Sequence, residues 1–195
     1  MIYLVRHGQT EFNRERRLQG HVDSPLTELG RGQAQGVARL LGDLTRGEPG
    51  WRIVSSPLGR AHATAQIIAE ALDLPEVELE PRLIELSWGG WDGRLRSDLE
   101  AAYPDSFGRT GWFWDAPEGE AYDQVAERLS SWLASLPPES ERRIIAVSHG
   151  VSGRVLRGLY AGLDRDATAT QDVPQDAVYR LACGNIHRLD CEPVE

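Results

Sequence analysis

Two histidines stand where short apolar runs end in His-Gly: His7 after Ile2-Tyr3-Leu4-Val5-Arg6, and His149 after Ile144-Ile145-Ala146-Val147-Ser148. At about pH 7 imidazole is largely neutral, attacks phosphorus without first losing a proton, and forms a phosphorylated nitrogen that water can discharge. A lone histidine at a strand end is more often a hydrogen-bonded core or rim residue. His7 has company: Arg6 adjoins it, and Arg60 falls just after Ser55-Ser56-Pro57. Phosphoryl transfer without a metal needs fixed cations and amide N–H groups around the equatorial oxygens. Arg6, Arg60 and His149 are of the right types to converge on one such anion. Gly8 and Gly150 would allow the backbone to approach it, although each equally suits a tight turn. Glu85 sits in a glycine-punctuated stretch beside Trp88 and Trp91, where partial desolvation would raise its pKa and fit it to donate a proton near neutral pH.

These groups need a scaffold. The runs 2–6 and 144–147 are too continuously apolar for half-exposed strands and suit strands buried on both faces of a parallel sheet. Trp51 to Val54 reads as another strand, followed by Ser56 as a cap, Pro57 in the first helical turn and an alanine-rich helix to Leu72. A third short strand is expected over Val77 to Leu79. Thr27 is a plausible cap for a helix whose stripe includes Leu29, Val37, Leu40, Leu41 and Leu44, interrupted by Gly30, Gly32 and Gly36. Further helices are expected around Leu95 to Tyr103, over 120–135, and from Val151 to Tyr160. Residues 8–26 and Leu83 to Gly93 read as functional loops. Val178 to Ala182 and Ile186 to Leu189 flank Cys183-Gly184-Asn185 as a hairpin. The alternation predicts a single three-layer α/β/α domain over 1–195 with a mostly parallel sheet, whose ligands collect outside the carboxyl ends of the strands.

Composition narrows the chemistry. All 21 basic residues are arginine. A coding bias accounts for that habit, yet without lysine no P-loop, no pyridoxal Schiff base and no kinase strand lysine can operate. A net charge of −9 disfavours nucleic acid and anionic membrane as partners. No apolar run approaches the roughly 20 residues that span a bilayer, and Met1 to Arg6 lacks a signal-peptide pattern. Cys183 and Cys191 have no CxxC spacing and fit a reducing, cytoplasmic setting. A chain this long buries roughly 70% of its unfolded surface and needs no disulfide or structural metal. Neither cofactor nor metal is expected, and oligomeric state is left open.

Taken in order, Arg6-His7-Gly8-Gln9-Thr10-Glu11-Phe12-Asn13, Gln19-Gly20, Asp23-Ser24-Pro25-Leu26-Thr27, Ser55-Ser56-Pro57-Leu58-Gly59-Arg60-Ala61, Glu85 through Trp91-Asp92-Gly93, and Ser148-His149-Gly150 resemble the successive motifs of the histidine phosphatase superfamily, the phosphoglycerate mutase-like proteins. The match covers almost the whole chain. The resemblance implies a mostly parallel sheet between helices, no metal, and a small phosphorylated substrate. By position it makes His7 the phosphorylated residue, Arg6, Arg60 and His149 the phosphate pocket, and Glu85 the proton donor. Thr10, Asn13, Gln19 and Gly20 match positions on the substrate side.

The departures favour hydrolysis. The mutase branch has Glu-Arg-His-Tyr-Gly at the donor loop, then a lysine and an arginine pair; this chain has Glu85-Leu86-Ser87-Trp88-Gly89 and no lysine. A mutase must also exclude the water that a phosphatase admits. Pro117-Glu118-Gly119-Glu120-Ala121 departs from the family's Pro-Gly-Gly-Glu-Ser, so no role is carried to it. Two rivals remain: a phosphoglycerate mutase, and a silent anion-binding relative. His21 is a candidate substrate contact, and Trp112, Phe113 and Trp114 are core or lid. His62 and His187 are read as bystanders.

Overall fold

The computed structural model describes residues 1–192. Six strands form one sheet in the order β3-β2-β4-β1-β5-β6: β1 (Ile2–Arg6), β2 (Arg52–Ser55), β3 (Glu78–Leu79), β4 (Ile144–Ser148), β5 (Ala177–Ala182) and β6 (Asn185–Asp190). The first four run parallel. β5 lies antiparallel to β1, and β6 antiparallel to β5. The terminal hairpin is therefore part of the sheet, which makes the sheet mixed.

Alternation along the central strands sorts their side chains between two cores. Ile2, Leu4, Ile144 and Ala146 face one side, packed with α6 (Tyr122–Ser135) and α7 (Gly150–Ala161). Tyr3, Val5, Ile145 and Val147 face the other, against α2 (Glu28–Thr45) and α3 (Gly59–Ala71). That is why these strands read as unbroken apolar runs. The expected three layers are present. No helix among the described residues is long and apolar enough to cross a membrane.

Several local expectations give way to tertiary contacts. The loop 8–26 contains α1 (Glu11–Arg14), a single turn held by a Thr10–Asn13 capping box and too short to show a period. Leu29 is exposed instead of joining the stripe of α2, because Gly30 turns inward. A Cβ on Gly30 would stand 2.0 Å from the Gln9 carbonyl oxygen, and one on Gly8 2.2 Å from that of Gly30. The two glycines let the helix start abut the strand-end loop. Trp51 precedes β2, and β3 keeps only two exposed residues of the expected Val77–Leu79. Pro57 lies ahead of α3, which starts at Gly59 with Leu58 at its cap; Ser56 is drawn away to His149.

Leu83 to Gly93 is braced by 3-10 turns at Pro81–Leu83 and Gly89–Trp91. Beyond α4 (Arg96–Ala102), the connector holds α5 (Pro104–Phe107) and a 3-10 turn over Trp112–Trp114. A further short helix, α8 (Arg165–Thr170), follows α7. Cys183 and Cys191 are free thiols.

Candidate active site

Parallel pairing brings the two His-Gly motifs together. Arg6 is in register with Ser148, and the His7 N–H donates to the Ser148 carbonyl at 3.1 Å. The residues after both strands then emerge side by side, with ring centroids of His7 and His149 5.1 Å apart. β2 ends at the same edge, where the Ser56 N–H donates to the Val147 carbonyl. Arg60, in the first turn of α3, reaches back across this edge.

His7 is buried, and its Nδ1 lies 2.8 Å from the Gly8 carbonyl oxygen. A carbonyl only accepts, so Nδ1 carries the proton and Nε2 keeps its lone pair. Burial, and then the charges of Arg60 and Arg6, hold His7 well below the ordinary imidazole range. Its neutral ring presents Nε2, at 3.3 Å, to the Nε–H of Arg60. The Arg60 guanidinium is fixed by the carbonyls of Gly20 (2.7 Å) and Val22 (3.0 Å) and by Asp23 (3.0 Å). Arg6 is pushed down to about 10 by burial, against the pull of Glu85, and its Nη1 donates to the Val173 carbonyl.

Two buried polar atoms at this point have no hydrogen-bond partner among the described residues: Nε of Arg6 and Nδ1 of His149. The Nε2 of His149 lies 2.7 Å from Ser56 Oγ. Burial and the same cationic neighbours keep His149 neutral as well. Buried groups left unpaired cost about 1–3 kcal/mol each, so a site that keeps them open is suited to a ligand bringing acceptors.

Above them opens a cavity of about 220 Å³. Its wall includes Arg6, His7, Arg60, Glu85, Gln19 and Gly150, with Asn13 and Gly20 beside them. Trp88, Trp112 and Phe113 add an aromatic side. Trp114, grouped with them in sequence, lies outside the wall. Gly8 and Thr10 stand behind it: the Gly8 N–H donates to Thr64 Oγ1, and Thr10 Oγ1 accepts from Gln19 Nε2 at 2.6 Å. His149 flanks a smaller adjoining space with Arg6 and Gly150.

Glu85 is 7% exposed, and its surroundings differ from the expected apolar pocket. Its carboxylate accepts the N–H groups of Leu86 (2.9 Å), Ser152 (2.9 Å) and Val151 (3.2 Å). The last two belong to the first turn of α7, where the helix dipole also favours a carboxylate. The start of α7 thus orients Glu85 instead of cradling an anion itself. His21, read as a substrate contact, has its ring 2.9 Å from the Glu85 carbonyl oxygen and supports the loop. Glu120 ties the same loop down: it accepts the Ser87 N–H at 2.8 Å and pairs with Arg128 at 3.2 Å. His62 lies on α3 outside the cavity wall, and His187 on β6.

Sequence reasoning missed three arginines of the wall, Arg17, Arg96 and Arg154. Arg154 had a visible signal, since it follows Gly150 by one helical turn. Arg17 and Arg96 come from separate segments that an isolated bridge, Arg17 to Leu95, draws together. With Glu85 facing five guanidinium groups, the cavity is strongly cationic inside a chain of net charge −9.

Fold and site define an α/β protein whose parallel strand ends gather two buried histidines among arginines. The family model of the histidine phosphatase superfamily (branch 1) matches residues 2–187, and the chain belongs to that superfamily. Curated relatives include the probable phosphoglycerate mutase GpmB of Photorhabdus laumondii, 39% identical over 85% of this chain and 77% of the relative. The corresponding protein of Cronobacter sakazakii is also 39% identical, over 83% and 75%. Among solved structures, a mycobacterial glucosyl-3-phosphoglycerate phosphatase complexed with VO3 is 30% identical with a TM-score of 0.75, each chain being covered to 92%. A putative α-ribazole-5′-P phosphatase from Escherichia coli is 26% identical with a TM-score of 0.76, covering 98% of this chain and 96% of its own.

Proposed function

We propose that this protein is a phosphatase that hydrolyses small phosphate monoesters through a phosphohistidine on His7, without a metal. The observation that carries the reading is the neutral His7 ring, whose Nε2 faces the buried Arg60 guanidinium with the charge of Arg6 nearby, beside two buried polar atoms that lack partners among the described residues. In the first step Nε2 attacks phosphorus, the bond to the alcohol oxygen breaks, and Glu85 gives that oxygen a proton. Arg6, Arg60 and His149 take the equatorial oxygens. The Gly8 carbonyl, already accepting from Nδ1, steadies the positive ring that results. In the second step water attacks phosphorus, Glu85 takes its proton, and the P–N bond breaks to restore neutral His7.

The phosphatase-named structural neighbours support hydrolysis. The likeness to the GpmB relatives, probable phosphoglycerate mutases, favours a second reading, transfer of the phosphoryl group between hydroxyls of one phosphoglycerate. Phosphate release from an aryl phosphate and a panel of small esters, with EDTA present and His7→Ala alongside, tests both. We expect release by wild type and none by His7→Ala. Isomerisation of a phosphoglycerate without net phosphate release would replace the reading with the second one. Equal turnover by His7→Ala would sink the histidine mechanism.

A further inference from the structure

The segment between α8 and β5 carries no motif and attracts no attention in the sequence, yet it runs along the back of the strand-end loop. Gln171 and Arg154 exchange bonds there, and Val173 accepts from Arg6. Gln175 makes the more telling contacts. Its Nε2 donates to the His7 carbonyl at 3.1 Å and to Asn13 Oδ1 at 3.0 Å.

Both amide orientations follow from their partners. The His7 carbonyl only accepts, so the Gln175 atom facing it is the nitrogen. The Thr10 N–H, 3.2 Å from the Asn13 side chain, only donates, so the Asn13 atom facing it is Oδ1. With Thr10 and Gln175 both donating to Oδ1, the Asn13 amide is held against a flip. Asn13 lines the cavity with His7, and its Nδ2 makes no hydrogen bond among the described residues. An N–H₂ group is thereby kept free on the cavity wall, where it can donate to an oxygen of a bound phosphate.

We infer that Gln175 is a positioning residue: by donating to Asn13 Oδ1 it turns the Asn13 N–H₂ toward the substrate, and by donating to the His7 carbonyl it links that orientation to the nucleophile's loop. The inference rests on the phosphatase reading for its kinetic consequence, while its binding consequence can be read without turnover.

The test is a double-mutant cycle over wild type, Gln175→Ala, Asn13→Ala and the pair, with Gln175→Glu as a further variant. Two quantities are measured for each: the dissociation constant for inorganic phosphate by calorimetry, and KM and kcat for an aryl phosphate. One charge-assisted hydrogen bond is worth roughly 1.5–3 kcal/mol, about 10- to 160-fold. Asn13→Ala should weaken phosphate and raise KM within that range, and Gln175→Ala should do so by a smaller factor at similar kcat. The pair should be no worse than Asn13→Ala alone.

Gln175→Glu replaces the donor by an acceptor, drives the Asn13 amide to turn around, and should weaken binding more than Gln175→Ala. That excess should vanish in the Asn13→Ala background. A residue that merely braces the fold would shift binding equally with and without Asn13, and additive effects would overturn the inference. So would an Asn13→Ala protein with unchanged phosphate binding and KM. If wild type binds phosphate but turns over no ester, the phosphatase reading fails while the binding cycle still decides for or against Gln175. If wild type binds no phosphate, both fall.

Discussion

At the floor of the site, Arg6, His7 and His149 ride on the ends of β1 and β4, whose pairing in register sets their backbones side by side. At the rim, Glu85, Trp88 and Trp112 ride on loops that have no ladder, and their positions depend on side chains reaching back to backbone. Glu120 and Asp92 each accept a loop N–H, from Ser87 and Trp88, and Arg128 donates to the carbonyls of Arg82 and Ile84. The floor inherits its precision from the sheet, and the rim has to assemble its own. A histidine nucleophile tolerates little misplacement, since about 1 Å in a reacting contact can cost about 10²-fold. A rim that selects leaving groups can vary while the floor stays fixed. That division fits a superfamily whose members of one fold carry different enzyme names.

The sharpest way to test the contrast is to cut the one rim group to which chemistry is assigned. Glu85→Gln keeps the size of the side chain and removes its proton. Turnover should fall by roughly 10² to 10⁴ if Glu85 is a general acid, whereas inorganic phosphate should bind about as before, because the floor is untouched. The loss should be greatest for esters of poorly leaving alkyl alcohols and smaller for aryl phosphates, whose leaving oxygen needs less protonation. A uniform loss across leaving groups would remove Glu85 from that role.

The same division explains what the sequence disclosed. A buried parallel strand writes itself as an apolar run, so the strands that carry His7 and His149 and the layers around them were legible from residue types alone. The fixed spacing of Arg60 after β2 made the third floor group legible too. Rim contacts are long-range, as between Glu120 and Ser87 or Gln175 and Asn13, and neither partner carries a local pattern. The exposure of Leu29 escaped for a related reason: it is set by the packing of Gly30 on Gln9, which belongs to the tertiary structure, while the single turn of α1 is too short to show a period. The antiparallel pairing of β5 with β1 was hidden because a hairpin signal fixes its own two strands and says nothing of the strand beside them.

That packing gives the next prediction. Gly30→Ala pushes a methyl group against the Gln9 backbone, which cannot swing aside as a side chain can, and should cost about 1–3 kcal/mol. Gly36 lies on the same helix, with its nearest neighbours 3.8 Å from a Cβ. There the substitution should be neutral or stabilise by roughly 0.5–1 kcal/mol, as alanine is the better helix former. Urea denaturation of the two variants beside wild type reads the difference. Equal destabilisation by both would mean that α2 does not abut the floor as described.

The smallest expected effect concerns the charge state of the floor. His7 and His149 are both held well below the ordinary value of 6.5, chiefly by burial and then by Arg60. In the native protein the rings stay neutral as pH falls through about 6.5, while in the unfolded chain they take up protons. The unfolded state then binds more protons, so this contribution to stability is intact above about pH 7 and declines as pH falls below 6.5. Between about pH 7 and pH 6 each ring should account for less than about 1 kcal/mol. The His7→Gln, His149→Gln double variant should therefore unfold with a flatter acid dependence than wild type in urea titrations. If the double variant kept the full acid slope, the neutral, buried state of the floor histidines would be wrong, and with it the lone pair on which the proposed attack by His7 depends.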